Sequence, residues 1–198
     1  MDSSRQDKIR QIIEALCHSL DSGWHHVVLL KSFRDAYHNN PRMKALYGRV
    51  INQLWGALWD ALFVRIGTYY ERTPVTNSIH GLIKQLRRAK DPALNALAAT
   101  IEGMLLETET VAARFLRWRN KVVGHNSSTL DPDEFNREAT VRIDDVELLL
   151  NQVEVMANLV AEEVLGSAYD VQHWNQTFAN EASTFLRLVE DGLAPAAQ

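Results

Sequence analysis

The sequence predicts an all-α chain, on two observations. Apolar residues recur three or four positions apart in one segment after another. Two of those segments open on a capping residue followed by proline, Asn40–Pro41 and Asp91–Pro92, the pairing favoured at helix starts. At 198 residues the chain suits one domain, 1–198.

Residues 4–20 are expected as a first helix. Ile9, Ile12, Ile13, Leu16 and Leu20 keep helical spacing, Ser3 or Ser4 is the N-cap, and Asp21, Ser22 and Gly23 stop it. A second helix over 24–37 turns Val27, Val28, Leu30, Phe33 and Tyr37 inward. His25–His26 lacks a ligand partner one turn away and a Cys cluster, so it reads as a half-exposed helix start and not a metal site. From Pro41 to about residue 72 a long helix carries the stripe Leu46, Val50, Leu54, Leu58, Leu62, Ile66, with Trp55 and Trp59 beside it. Apolar on much of its circumference, it should run through the core or along a dimer seam.

Thr73 and Pro74 break the chain, and Thr76 or Asn77 starts the next helix, through Ile79, Leu82, Ile83 and Leu86. His80 reads as partly buried there. The run Arg87–Arg88–Ala89–Lys90 suits a helix C-terminus on dipole grounds, or faces a phosphate. After Asp91–Pro92, Leu94, Leu97, Ala98, Ile101 and Leu105 form a helix that should bend or restart over 107–110, capped by Thr108 or Thr110. Residues 126–134 are a polar loop and 141–144 are extended. Asp144 is then expected to cap a strong helix over 145–165, with Val146, Leu149, Leu150, Val153, Met156, Ala157, Val160 and Val164 inward, ended by Gly166. Trp174, Phe178, Phe185, Leu186 and Val189 predict a last helix over 173–190.

The net charge of −4 argues against a broad nucleic-acid-coating surface. The cations nevertheless gather centrally, and acids dominate after Asp131, which suits a small local phosphate site or two unrelated solvated faces. The lone Cys17 excludes an internal disulfide. The charged start MDSSRQDKIR has no apolar segment behind it, and the longest apolar run, 45–70, is broken by Arg49, Asp60 and Arg65. The expectation is a cytoplasmic protein without a membrane span.

The chemistry concentrates in residues 114–126, RFLRWRNKVVGHN. Arg119 can grip a phosphate through two parallel hydrogen bonds. His125 can take or give a proton near neutral pH, and Asn120 can orient either group. Arg114, Arg117 and Lys121 add cations, though on one helix they cannot all face one way. Six residues advance an ideal helix by about 240° beyond full turns, so Arg119 and His125 share a site only if the helix ends between them. Gly124 can supply that ending. The other reading is a helix-end arginine paired with an acid, plus a capping histidine.

The run RNKVVGH, from Arg119 to His125, resembles the signature of HEPN domains, most closely their abortive-infection branch. The stretch 61–86, ALFVRIGTYYERTPVTNSIHGLIKQL, is similar to that branch's helix, acidic turn and Ser/Thr-started helix. The likeness covers roughly 43–165. It implies an all-α, HEPN-like up-and-down helical bundle, with 4–39 and 173–190 as additional terminal helices. It further implies a metal-independent endoribonuclease, without cofactor, acting as a toxin or abortive-infection effector. Arg119, Asn120 and His125 would be catalytic, and Arg114, Arg117, Lys121 and Asn126 would contact RNA phosphates. A homodimer is implied, with Phe115, Trp118, Val122, Val123 and the long helix as seam material, and an antitoxin or regulatory protein as a further partner. Some HEPN toxins carry a tyrosine two residues past the histidine, where a partner modifies them; this chain has Ser127. The alternative is a non-catalytic HEPN-like module that binds a nucleotide or a protein.

Overall fold

A single residue, Asn40, separates the two longest helices of the computed structural model. The structure describes residues 3–73, 77–120, 140–169 and 171–192. α1 is Ser3–Asn39 and α2 is Pro41–Tyr69. Asn40 leaves helical geometry (φ −123°, ψ 93°), and its side-chain oxygen accepts the Met43 N–H at 3.0 Å. With Pro41 behind it needing no donor partner, this cap lets α2 start at once and return along α1. The remaining elements are α3 (Ile79–Arg88), α4 (Pro92–Trp118), α5 (Ile143–Leu165) and α6 (Val171–Gly192). The described residues form no strand.

α1, α2, α4 and α5 form a four-helix bundle in which each packs against the next and α5 closes on α1. The α1–α5 pair runs antiparallel: Gln6 reaches the Val164 carbonyl, Trp24 reaches Glu154, and Lys31 reaches Glu147. The core is made from Ile9, Leu16, Leu20 and Leu30 of α1, Leu62 and Ile66 of α2, Phe115 of α4, and the inward row of α5. α1 is thus a wall of the bundle, and the bundle expected over 43–165 extends back through it. α3 lies against α4 and α1, and α6 packs along α1.

Three expectations about element ends are corrected. The break at Asp21–Gly23 does not occur: Gly23 is a buried residue inside α1, and a Cβ there would lie 3.1 Å from Leu150 of α5. That glycine lets two helices approach closely, and it does not end one. His25 and His26 therefore sit mid-helix, His25 stacked on Phe178 at 4.0 Å. The restart over 107–110 is also absent. The Thr108 hydroxyl, which was expected to cap a helix, is buried and donates to the Leu105 carbonyl at 3.3 Å, and it lies 3.3 Å from the Tyr70 hydroxyl. Finally, the caps fall one or two residues away from expectation. Ser78, not Thr76 or Asn77, caps α3 by accepting the Gly81 N–H at 3.1 Å. Arg142, not Asp144, is the N-cap residue of α5, with its N–H donating to Asp145 at 2.9 Å. Asp91 accepts from Ala93 and Leu94 as expected, and Gly166 ends α5 at φ +76°.

The apolar stripe of α2 divides in two. Leu62 and Ile66 are fully buried, whereas Leu46, Val50 and Leu54 stand 59, 55 and 44% exposed. Beneath this outer half the described residues form a small second cluster, Ala36, Met43 and Ile51, with Leu186 and Val189 of α6 against it. No helix among the described residues is long and apolar enough to cross a membrane.

Candidate functional site

Packing fixes the end of α4 before any functional group is reached. Phe115 is fully buried with its ring 5.6 Å from that of Phe63 on α2. One turn on, Trp118 stacks parallel to the same ring, 5.1 Å away at 3°. Two aromatic contacts on one residue hold the last turn of α4 against the last turns of α2. Phe115 is therefore used up within the chain, whereas Trp118 keeps part of its surface exposed.

Arg119 follows directly and is still helical (φ −52°, ψ −49°). Its side chain lies across α2 at Gly67. A Cβ on Gly67 would fall 2.4 Å from Arg119 Cδ and 3.0 Å from Nε, so the stem occupies the space a side chain would take. The guanidinium is held from two sides: Nε donates to Asn120 Oδ1 at 3.1 Å, and Nη1 lies 3.5 Å from Glu71 Oε2. At 23 and 29% side-chain exposure, Arg119 and Glu71 form a half-sheltered ion pair at the surface. The arrangement presents a guanidinium in one orientation, with a carboxylate that an incoming anion must displace or share.

The other cations take separate stations. Arg114 donates to the Thr140 carbonyl at 2.8 Å and to Asp145 at 3.1 Å, tying the end of α4 to the start of α5. Arg117 is exposed and, two residues before Arg119, sits about 200° round the axis from it. Arg87 grips Glu102 with both carboxylate oxygens, at 3.2 and 2.6 Å. Lys121, Gly124, His125 and Asn126, with Val122 and Val123, lie outside the described residues. Among the described residues no three His, Cys, Asp or Glu side chains gather closely enough to hold a metal ion.

Gly67 and Glu71 are the site residues that motif reading missed. Both belong to another helix end, fifty positions before the motif, and only the fold brings them to Arg119. A weak signal existed. Gly67 is the only glycine in the bulky run from Ala61 to Tyr70, and Glu71 lies in the acidic turn of the stretch that resembled the abortive-infection branch. A glycine amid large residues in a helix usually marks a close approach.

Comparison with known proteins adds one finding. No curated protein and no solved structure matches the chain. The family model of HEPN_AbiU2, described as AbiU2, matches residues 6–185, from the first turns of α1 well into α6. The likeness thus extends beyond 43–165 and takes in both terminal helices. The all-α bundle, the RNKVVGH run and this match over most of the sequence agree: the chain belongs to the AbiU2 family of HEPN domains, of abortive-infection type.

Proposed function

We propose that the protein is a metal-independent endoribonuclease that acts as a toxin or defence effector. The ribose 2′-hydroxyl attacks the adjacent phosphorus, the bond to the 5′ oxygen breaks, and a cyclic phosphate and a 5′-hydroxyl result. His125 takes the proton from the nucleophile or returns one to the leaving oxygen. Arg119 holds the phosphate and stabilises the charge gathering on its oxygens, and Asn120 orients one partner. Lys121, Arg117 and Asn126 would contact neighbouring phosphates, while Arg114 would act mainly through its tie to α5. DNA lacks the nucleophile and should survive.

The observation that most supports this reading is the setting of Arg119: a guanidinium laid over Gly67, steadied by Asn120 and Glu71, at the head of the motif. The test is incubation of purified protein with mixed cellular RNA in EDTA. Cleavage is expected, with loss in Arg119→Ala and His125→Ala and helical content retained. Cleavage that EDTA stops, or that survives both substitutions together, refutes the assignment.

A second reading is favoured by Glu71. A carboxylate already on the arginine suits a non-catalytic module that trades this contact for a nucleotide or a protein acid. That reading expects anion binding at Arg119 without any RNA turnover.

A further inference from the structure

Beside the Arg119–Glu71 pair lies a cleft of about 310 Å³ between the end of α2, α3 and α4. Its floor is apolar: Leu105, Ala112 and Leu116. Two small residues of α4, Ala112 and Ala113, line it, with Leu116 one turn further on. Polar groups stand at its walls. His80 enters half-buried from α3, and Arg72 bridges to Glu109 at 2.7 Å along the rim. The size is at the lower end for a small-molecule site, and an apolar floor with a few edge donors and acceptors is the usual composition.

Two elements independently set this cleft against Arg119. On α4, Leu105, Glu109, Ala112, Leu116 and Arg119 follow one another at spacings of three or four, so they form one stripe. Arg119 stands about 4.5 Å along the axis from Leu116 and about 10 Å from Ala112. Just past the end of α2, Tyr70, Glu71 and Arg72 are consecutive: Glu71 meets Arg119, and its two neighbours line the cleft. A ligand that fills the cleft and reaches the guanidinium needs a flat, mostly apolar body of limited size joined to an anion by a short arm. That is the plan of a nucleotide.

We infer that the cleft is a nucleobase subsite, taking the base of the nucleotide whose phosphate Arg119 holds. This rests on the proposed phosphate-binding role of Arg119. Leu105 and Leu116 would pack on the ring face, the Arg72 guanidinium plane could stack at the mouth, and His80 would meet the base edge. Burial, then the nearby Arg72, hold the His80 imidazole below its ordinary range. It is therefore neutral at pH 7, with one nitrogen donating and the other accepting.

The test needs no cleavage. Nucleoside 5′-monophosphates and ribose 5-phosphate are titrated into the intact protein and followed by NMR shifts. At least one monophosphate should bind tenfold or more tightly than ribose 5-phosphate. Ala113→Trp fills the cleft from an exposed position and should bring that ratio close to one, with ribose 5-phosphate affinity unchanged. His80→Ala should reduce it in part, and Arg119→Ala should weaken both ligands. Equal binding of the two ligands by wild type overturns the subsite, as does a ratio that survives both Ala113→Trp and His80→Ala. A base advantage untouched by Arg119→Ala overturns its link to the phosphate. A normal ratio in a protein that never cleaves RNA supports the subsite and refutes only the ribonuclease reading.

Discussion

Replacing Gly67 by alanine should separate stability from activity. The new Cβ would stand 2.4 Å from Arg119 Cδ, where ordinary contact begins near 3.4 Å. The obstructing atom is mid-stem and not a free tip, so the guanidinium must shift by about 1 Å or swing away. A misplacement of about 1 Å can cost on the order of 100-fold in rate. Stability should move the other way, because alanine in a helix is favoured over glycine by about 0.5–1 kcal/mol. That gain offsets much of the lost Arg119–Glu71 contact, a half-exposed pair worth about 0–1 kcal/mol. The expected result is a urea midpoint within error of wild type and RNA cleavage lowered about 100-fold. Gly56→Ala is the control, since its Cβ would meet nothing within 4 Å; it should raise the midpoint and leave cleavage alone. Gly67→Ala protein that cleaves at the wild-type rate would refute the argument that the notch sets Arg119 for catalysis. A large loss of stability in that variant would show that the stem serves the core instead.

Four further outcomes follow from the same structure. Burial, with Asp21 and Glu154 nearby, pushes the Cys17 thiol up to about 12, so a thiol reagent at pH 8 should label it only in denaturant. Burial lowers the His25 and His80 values below the ordinary 6.5, so the unfolded chain binds protons first as pH falls. Stability should be full above about pH 6.5 and decline towards pH 5, and the double variant His25→Gln/His80→Gln should flatten that decline in thermal melts. Thr108→Val leaves the buried Tyr70 hydroxyl unpartnered and should cost about 1–2 kcal/mol, or about 2–8 °C in Tm, with recovery when Tyr70→Phe is added. Mixed dimers of wild-type and His125→Ala subunits should cleave at far below half the wild-type rate if two chains share one site, and near half if they do not.

What the sequence disclosed of the fold was whatever a few neighbouring residues decide. Asn40–Pro41, Asp91–Pro92 and Gly166 act within one helical turn, and each does what its local chemistry implies. Gly23 misled because a stop glycine and a packing glycine are the same residue; Leu150, a distant partner, makes the difference. Thr108 misled in the same way, since its hydroxyl is satisfied by its own helix and by Tyr70 instead of opening a new one. For the site, Arg119 and Asn120 were legible as a contiguous motif. Gly67 and Glu71 were not, because their roles exist only once α2 and α4 cross.

The division of the α2 stripe bears on how two copies would meet. Leu46, Val50 and Leu54 form the largest apolar row that α2 leaves uncovered, and Gly67 lies on the same rod beyond them. Paired head to tail about Val50, two such rods would carry their Gly67 notches to opposite ends, about 50 Å apart. No single phosphodiester could touch both arginines, and each chain would have to cut alone. Paired side by side in the same direction, the rods would bring the notches level, and one strand of RNA could lie between two guanidiniums. Were two copies to pair along α2, the choice between one shared blade and two separate ones would thus be set by the direction of a seam more than about twenty ångströms from Arg119.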